Sequence, residues 1–190
     1  CIAGATSGMG KATAALTAKN NIKLILSGRR TGRLEKLQVE VSKLTEVKTL
    51  QFDVSIKEDV QTAIASLPEN FKHLDILINN ADNAHGLATI QEGSIEDWDA
   101  MLDINVKGLL YVTKAILPTM IKNNSGFIVN IGSTAGKDVY KNGNVYCASK
   151  FAVNALNKSM RLDLNDYDIR VSAIHPCLVE TEFSDVRFKG

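Results

Sequence analysis

The stretch Gly4-Ala5-Thr6-Ser7-Gly8-Met9-Gly10 decides the fold class, because it follows the apolar residues 1–3 and leads directly into helical sequence. Glycines at this spacing allow a tight turn, close approach of a pyrophosphate to the backbone, and close packing of a helix on a strand. The helix that follows presents unpaired N–H groups to an anion. An ordinary glycine-rich loop can share this spacing, so its place at the first strand–helix turn of a longer repeat favours a phosphate-binding turn.

Short apolar runs alternate with amphipathic segments of helical length along the rest of the chain. Their Ile, Val and Leu content is typical of strands buried on both faces. Strands are predicted at residues 1–3, 22–27, 47–52, 74–79, 126–131 and 169–175, and helices near 8–19, 31–44, 57–66, 96–122 and 145–166. Pro118 predicts a kink or an end within the fourth of these helices. The repeat predicts a single α/β domain over residues 1–190, with a Rossmann-like, doubly wound parallel sheet and helices on both faces.

Bulk composition narrows the classes of function. The 190 residues are 45% hydrophobic and 23% charged, with a formal net charge of +1. This balance disfavours a nucleic-acid or polybasic membrane surface, and no apolar run has the length of a membrane span. The cysteines and histidines lack the spacing of metal ligands, so no metal site is predicted, and a reduced, cytoplasmic setting fits best. These residues are Cys1, Cys147, Cys177, His73, His85 and His175.

A tyrosine and a lysine lie four residues apart, Tyr146 and Lys150, and Ser133 lies thirteen residues before the tyrosine. On a helix, such a pair shares one face. A free phenol has a pKa of about 10, and a neighbouring ammonium lowers that pKa toward the range of a general acid or base. Taken singly, Tyr146 could be a half-buried aromatic, Lys150 a surface residue, and Ser133 a capping residue.

Two arginines follow the second predicted strand, in Ser27-Gly28-Arg29-Arg30. A carboxylate at this place would bind a ribose 2′-hydroxyl and select NAD, whereas arginines suit the 2′-phosphate of NADP. Arg29 and Arg30 could instead only solvate the start of the next helix. Because no acidic residue competes at the strand end, NADP is the predicted cofactor.

Several segments together resemble the short-chain dehydrogenase/reductase family. They are Gly4-x-x-x-Gly8-x-Gly10, Asn79-Asn80-Ala81, Asn105 in Asp-Ile-Asn-Val-Lys-Gly, Ser133 in Asn-Ile-Gly-Ser, and Tyr146-x-x-x-Lys150. The order and spacing of the family hold over the whole chain. Residues 67–77, 132–136 and 182–190 are most similar to the NADP-dependent 3-hydroxy acid dehydrogenases, the branch that oxidises serine, allo-threonine and related acids.

The resemblance implies a role for each of these residues. Tyr146 would exchange a proton with the substrate oxygen, Lys150 would bind the nicotinamide ribose, and Ser133 would hold the substrate oxygen. Asn105 would bend its helix and hold a water. The implied cofactor contacts are Gly4, Thr6, Ser7, Gly8, Met9, Gly10, Arg29, Arg30, Asp53, Val54, Asn80, Tyr146, Lys150, Pro176, Val179 and Thr181. Arg187 would pair with a substrate carboxylate, or would be a solvated loop arginine.

Three residues depart from the pattern that the resemblance implies. Ala3 stands in place of a threonine, and Asp82 and Cys177 each stand in place of a glycine. A side chain and charge at Asp82 could crowd the coenzyme or require an unusual backbone angle. The hypothesis from the sequence is weakened cofactor binding at a site that is still present.

The sequence therefore predicts an NADP-dependent oxidoreductase acting on a small 3-hydroxy acid or its carbonyl product. A broad carbonyl or 3-ketoacyl reductase is one alternative, and an NADP-binding sensor or interaction module with weakened catalysis is another. Assembly is expected as a homodimer or homotetramer through the 96–122 and 145–166 helices. Both ends are expected to be truncated, with the C-terminal substrate-lid region absent.

Overall fold

A six-stranded parallel sheet forms the centre of the computed structural model, which describes residues 1–183. Its strands run in the order β3-β2-β1-β4-β5-β6, and every neighbouring pair is parallel. The strands are β1 (Ile2–Ala3), β2 (Leu24–Gly28), β3 (Val47–Gln51), β4 (Ile76–Asn79), β5 (Gly126–Ile131) and β6 (Ile169–Ile174). Strands β1 to β3 extend the sheet to one side, and strands β4 to β6 extend it to the other. Ligands bind in doubly wound folds at the point between β1 and β4 where this strand order reverses. The predicted fold class is confirmed.

Helices cover both faces of this sheet. They are α1 (Gly8–Lys19), α2 (Thr31–Val41), α3 (Lys57–Ala65), α4 (Ile95–Leu102), α5 (Leu109–Lys122) and α6 (Asn144–Asp163). Leu26 of β2 packs with α1 and α2, while its neighbour Ile25 packs with the cluster that contains α3, α5 and α6. Adjacent strand residues point to opposite faces, so every buried strand needs apolar side chains at consecutive positions. Within residues 1–183, no helix is both long enough and apolar enough to cross a bilayer.

The helix predicted over residues 96–122 changes its geometry around Asn105, the residue that the family resemblance expects to bend it. A π-helical segment, Asp103–Gly108, separates α4 from α5. Its wider turn accommodates Asn105, whose side chain bonds to the backbone of the loop after β4 instead of facing solvent. Such segments often occur at functional sites. Further along, α5 continues through Pro118 to Lys122.

A row of buried amide side chains joins the sheet to α5 and α6. Asn79 of β4 donates to Asn130 of β5 at 2.9 Å, and Asn130 donates to Asn157 of α6 at 3.0 Å. Asn79 also donates to Thr113 of α5 at 2.9 Å. Buried polar groups are costly unless they are paired, so this row fixes the relative positions of β4, β5, α5 and α6.

Candidate active site

A cavity of about 760 Å³ opens at the carboxyl ends of the central strands. The glycine turn after β1, the loops after β2, β4 and β5, and the segment after β6 form its wall. The volume lies in the range of small-molecule and cofactor sites. It brings together segments from almost the whole chain, from Gly4 to Phe183.

The glycine turn has the geometry that a bound pyrophosphate requires. Gly4 has a φ of +75°, which favours glycine, and a Cβ on Gly10 would lie 2.3 Å from Gly4 O. Ser7, Gly8 and Met9 line the cavity at the start of α1, where backbone N–H groups attract anions. Asn80 donates to Gly4 O at 2.8 Å, so the turn is tied to the end of β4 although Ala3 lacks a hydroxyl.

A basic cluster lies beside this turn. Arg30 donates to Ser7 Oγ at 2.9 Å and to Thr6 Oγ1 at 3.2 Å. It also pairs with Glu182 Oε1 at 2.7 Å, and Arg33 pairs with the other oxygen of the same carboxylate. Hydrogen bonds from Arg33 and Arg30 lower the pKa of Glu182 below its usual range. The cluster already holds an oxyanion, so its residues fit a phosphate group.

The second arginine of the pair turns toward a different partner. Arg29 lines the cavity, and its guanidinium lies 3.3 Å from Asp53 Oδ2. Partial burial raises the pKa of Asp53, but hydrogen bonds from Ser55 and the charge of Arg29 outweigh this, and the net pKa is lowered. Val54 lies on the cavity wall, whereas Asp53 lies beside it, held by Ser55 and Arg29.

The tyrosine, lysine and serine meet at the other end of the cavity. Tyr146 and Ser133 line the wall, and Lys150 lies behind it, 1% exposed. The ammonium of Lys150 is 5.8 Å from the centre of the Tyr146 ring. Ser133 Oγ accepts a hydrogen bond from Ala135 N–H at 3.1 Å, so this side chain caps the short 3₁₀ turn Thr134–Gly136 while it faces the cavity.

The packing around Tyr146 restricts the ring's position. Ala84, Met101, Ala135 and Cys147 form a buried apolar cluster with it. The ring of Phe183 lies 6.5 Å away, centre to centre, in a tilted orientation. An aromatic hydroxyl supported by such packing is held at one place on the cavity wall.

Lys150 has an acidic partner that sequence reasoning did not identify. Its Nζ lies 2.8 Å from Asp82 Oδ2, and it also donates to Ile131 O at 3.3 Å. Burial raises the pKa of Asp82 above its usual value, and the charge and hydrogen bond of Lys150 offset this only in part. Asp82 has no positive φ, so its place in the glycine position of the family pattern causes no backbone strain.

Asn105 connects the loop after β4 to α6. Its Oδ1 accepts from Asn83 N–H at 2.9 Å, and its Nδ2 donates to Asn83 O at 2.9 Å and to Ser149 Oγ at 3.0 Å. Ser149 Oγ in turn donates to Tyr146 O at 2.7 Å. The side chain therefore supports the backbone on both sides of the site, and its holding a water stays a prediction.

Most of the remaining predicted cofactor residues lie on the same wall. A Cβ placed on Gly8 would lie 3.5 Å from Thr181 Cβ, so the segment after β6 reaches the glycine turn. The predicted residues that line the cavity are Gly4, Thr6, Ser7, Gly8, Met9, Arg29, Arg30, Val54, Asn80, Ser133, Tyr146, Pro176, Val179 and Thr181. Gly10, Asp53, Asn105 and Lys150 do not line the cavity, and Arg187 lies outside the described residues.

Sequence reasoning missed the ion pairs that Asp82 and Glu182 form at this site. Asp82 stood out only as a departure from a glycine, and nothing in its local sequence indicated that it would meet Lys150. Glu182 and Arg33 gave no signal, because a carboxylate near the end of the chain and an arginine on α2 become neighbours only through the sheet order. Within residues 1–183 there is no cluster of three or more His, Cys, Asp and Glu side chains that could hold a metal.

Comparison with known proteins places this geometry in a family. The sequence matches the family model described as short chain dehydrogenase over residues 1–189. It is 45% identical over 190 residues to the NADP-dependent 3-hydroxy acid dehydrogenase of Salmonella typhi, covering all of this chain and 76% of that protein. It is 43% identical over 190 residues to sulfoacetaldehyde reductase 2 of Chromohalobacter salexigens, covering all of this chain and 75% of that protein.

Solved structures agree with this placement. The closed form of serine dehydrogenase complexed with NADP+ superposes with a TM-score of 0.94 at 43% identity, covering all of this chain and 76% of that one. Serine dehydrogenase from Escherichia coli gives a TM-score of 0.88 at 40% identity, covering 93% of this chain and 81% of that one. The family match over nearly the whole sequence, together with the glycine turn and the Tyr146–Lys150 pair, shows that the chain belongs to the short chain dehydrogenase family.

Proposed function

We propose that the protein is an NADP-dependent oxidoreductase that transfers a hydride between NADP and a small 3-hydroxy acid or its carbonyl product. The observation that carries this proposal is the single cavity that joins the Arg30 cluster at one end to Ser133 and Tyr146 at the other. Relatives named as NADP-dependent 3-hydroxy acid dehydrogenases, and a similar structure solved with NADP+, support both the coenzyme and the substrate class.

The coenzyme would lie along this cavity in an order set by the charges of its wall. Arg30, Thr6 and Ser7 form the part that suits a 2′-phosphate, and the start of α1 suits the pyrophosphate. The end at Ser133 and Tyr146 would receive the nicotinamide, with the ribose near Lys150. Bound NADP supplies the acceptor or donor of hydride at its nicotinamide ring.

The protein's own groups move the proton. Tyr146 would give a proton to the carbonyl oxygen in reduction and remove it from the hydroxyl in oxidation. The ammonium of Lys150, 5.8 Å from the ring centre, favours the phenolate form. Ser133 would donate its hydroxyl hydrogen to the substrate oxygen, since its Oγ is already positioned by the Ala135 N–H.

A second substrate class has a specific observation in its favour. Sulfoacetaldehyde reductase 2 is 43% identical to this chain, within two percentage points of the 3-hydroxy acid dehydrogenase of Salmonella typhi. A sulfonate and a carboxylate share a negative charge close to the reacting carbon. Turnover of L-serine, 3-hydroxypropionate, sulfoacetaldehyde and an acyl-thioester ketone with NADP(H) separates the candidates. Activity restricted to the thioester would overturn the proposal.

Assembly and location form a separate part of the proposal. We infer a homodimer or homotetramer built through the helical region 95–122 and α6, in the cytoplasm. Phe151 and Leu162 of α6 are 42% and 79% exposed and lie eleven residues apart, which places them on one helical face. Exposed apolar side chains that share a helical face favour contact with another chain. The three cysteines are unpaired, which is usual in a reducing compartment.

A further inference from the structure

The ammonium of the site's lysine is held by a carboxylate. Lys150 Nζ lies 2.8 Å from Asp82 Oδ2, and the side chains of Lys150 and Asp82 are 2% and 17% exposed. An ion pair in such surroundings is screened far less by solvent than a surface pair. The lysine therefore presents Tyr146 with an ion pair instead of an isolated positive charge.

Asp82 reaches the cavity, whereas Lys150 does not. Asp82 forms part of the cavity wall directly after β4, and the ammonium lies behind that wall. The second oxygen, Oδ1, is buried and accepts no hydrogen bond of normal geometry within residues 1–183. The adjacent Asn83 N–H donates to Asn105 and also lowers the pKa of the Asp82 carboxyl. One oxygen of the carboxylate is thus paired with Lys150, while the residue itself forms part of the cavity wall.

Lys150 keeps one donor for a ligand. An ammonium has three N–H groups, of which Asp82 and Ile131 O engage two within the described part of the chain. Asp82 therefore fixes the lysine without engaging all of its donors. Asp82 is therefore expected to influence the ionisation of Tyr146 more than the affinity of the protein for its coenzyme.

Other titratable groups also lie on the elements around α6. The π-helical segment contributes Asp103 and Lys107, which pair with each other at 2.7 Å. Further titratable side chains lie on α4, on the cavity wall or after β6: Glu96, Asp97, Asp99, His85, Asp138, Tyr140, Lys141, His175, Cys177 and Glu182. Among residues 1–183, Asp82 is the one carboxylate within 4.0 Å of Lys150 Nζ.

We propose that Asp82 is a positioning residue that holds Lys150 and cancels much of its positive charge at Tyr146, so that it sets the pH range in which Tyr146 exchanges its proton. This inference rests on the proposed function of Tyr146. A charge a few ångströms from a second, opposite charge acts at longer distance as a dipole, whose potential falls more steeply than that of a single ion. Removal of the negative member leaves the ammonium unopposed and favours the phenolate.

The direct test is titration of the coenzyme-free protein, followed by the ultraviolet absorbance of tyrosinate. Each background is paired with its Tyr146→Phe variant, so that the difference isolates one tyrosine. In Asp82→Asn the midpoint of this transition is expected about one pH unit lower than in the unmodified protein. Asp82→Glu, which keeps the charge, is expected to restore the midpoint.

Control variants separate the effect of the charge beside Lys150 from effects that the loss of any carboxylate in the cavity would have. Asp138→Asn removes another carboxylate from the same cavity and is expected to leave the midpoint in place. Asp82→Gly supplies a second neutral variant if Asp82→Asn does not fold. An unchanged or raised midpoint in the folded neutral variants overturns the inference, as does an equal shift in Asp138→Asn.

The pH profile of kcat/KM gives the second readout. The part of this profile that reports the ionisation of Tyr146 should move to lower pH in Asp82→Asn, by the same amount as the tyrosinate transition. The affinity for NADPH should change by less than about threefold. If the absorbance shift occurs but no hydroxy acid or sulfonated aldehyde is turned over, the proposed function fails and the charge effect stands. If turnover occurs without either shift, the function stands and the role of Asp82 fails.

Discussion

At the scale of single residues, the site depends on how each polar side chain is used. Ser133 caps a 3₁₀ turn and faces the cavity at the same time, so its structural and chemical roles do not exclude each other. Tyr146 has an apolar cluster around its ring, while its helix brings Lys150 to the same face. Burial and hydrogen bonding thus give ordinary residue types particular positions and charges.

Removal of the Tyr146 hydroxyl tests its role as acid and base. Tyr146→Phe keeps the ring and its packing, so turnover should fall by about 100-fold or more while NADPH affinity changes little. Steady-state kinetics and fluorescence titration with NADPH measure the two effects. Tyr140→Phe removes another hydroxyl from the same cavity wall and serves as the matched control. Equal losses in both variants would contradict a special role for Tyr146.

The lowered pKa of Asp53 predicts that its substitution reduces the stability of the fold in a pH-dependent way. Its net pKa is lowered in the folded protein, so its hydrogen bonds stabilise the fold above the ordinary value of 3.8, and this contribution is lost as the pH falls through the lower, folded value. Asp53→Asn should cost about 1 kcal/mol near neutrality, and the difference from the unmodified protein should shrink in acid. Urea unfolding over a pH series measures this. Asp166→Asn, at an exposed aspartate, should show no such trend.

At the scale of elements, the residues of the site are positioned by short irregular segments around a regular sheet. The glycine turn, the π-helical segment and the segment after β6 all depart from regular structure, and each one positions a group at the cavity or behind its wall. Glu182, in the segment after β6, reaches back to Arg30 and Arg33 on the far side of the turn. An intrachain carboxylate therefore occupies the guanidinium group of Arg30, which we propose to bind the 2′-phosphate.

Neutralising Glu182 should strengthen coenzyme binding. In Glu182→Gln the guanidinium groups are released, so NADPH affinity should rise about threefold, as expected for loss of one partly exposed ion pair. NADH affinity should not change, since NADH lacks the 2′-phosphate. Calorimetric titration with both coenzymes and with adenosine 2′,5′-bisphosphate gives the comparison. Glu180→Gln, two residues away, is the control, and weaker NADPH binding in Glu182→Gln would contradict the competition.

At the scale of the whole molecule, the outer face of α6 remains exposed. Phe151 and Leu162 face away from the core, and Leu110 of α5 is also 38% exposed. Burial of such side chains between copies of the chain would contribute favourable free energy without any change in the fold. The proposed assembly therefore depends on a helical face that the sheet does not use.

A charge on this face should break the assembly. Leu162→Glu places a carboxylate where a neighbouring α6 would pack, so the sedimentation coefficient should fall to that of a smaller species. Circular dichroism should remain unchanged, since Leu162 is 79% exposed in the single chain. Leu16→Glu, at a 62% exposed leucine of α1, is the matched control and should leave assembly intact. Identical sedimentation of all three proteins would exclude this face.

The regular elements could be predicted because their signals are local. Continuous apolar runs indicated all six strands, and the glycine turn indicated where the sheet would bind a ligand. Boundaries shifted by a few residues, as in α2, which ends at Val41 instead of residue 44. Hydrophobic periodicity did not indicate the break in the predicted 96–122 helix, which the family resemblance placed at Asn105. The side chain of Asn105 bonds to a distant loop, a contact that local sequence does not encode.

The sequence by itself determined the parallel α/β architecture, the position of the glycine turn after the first strand, and the residue types able to transfer a proton. These properties follow from hydrophobic period and from glycine and side-chain chemistry, which act over a few neighbouring residues. Only the tertiary structure decided that Lys150 meets Asp82 and that Arg30 holds Glu182. The strength of an ion pair depends on distance and burial, and both are set by the order of strands in the folded sheet.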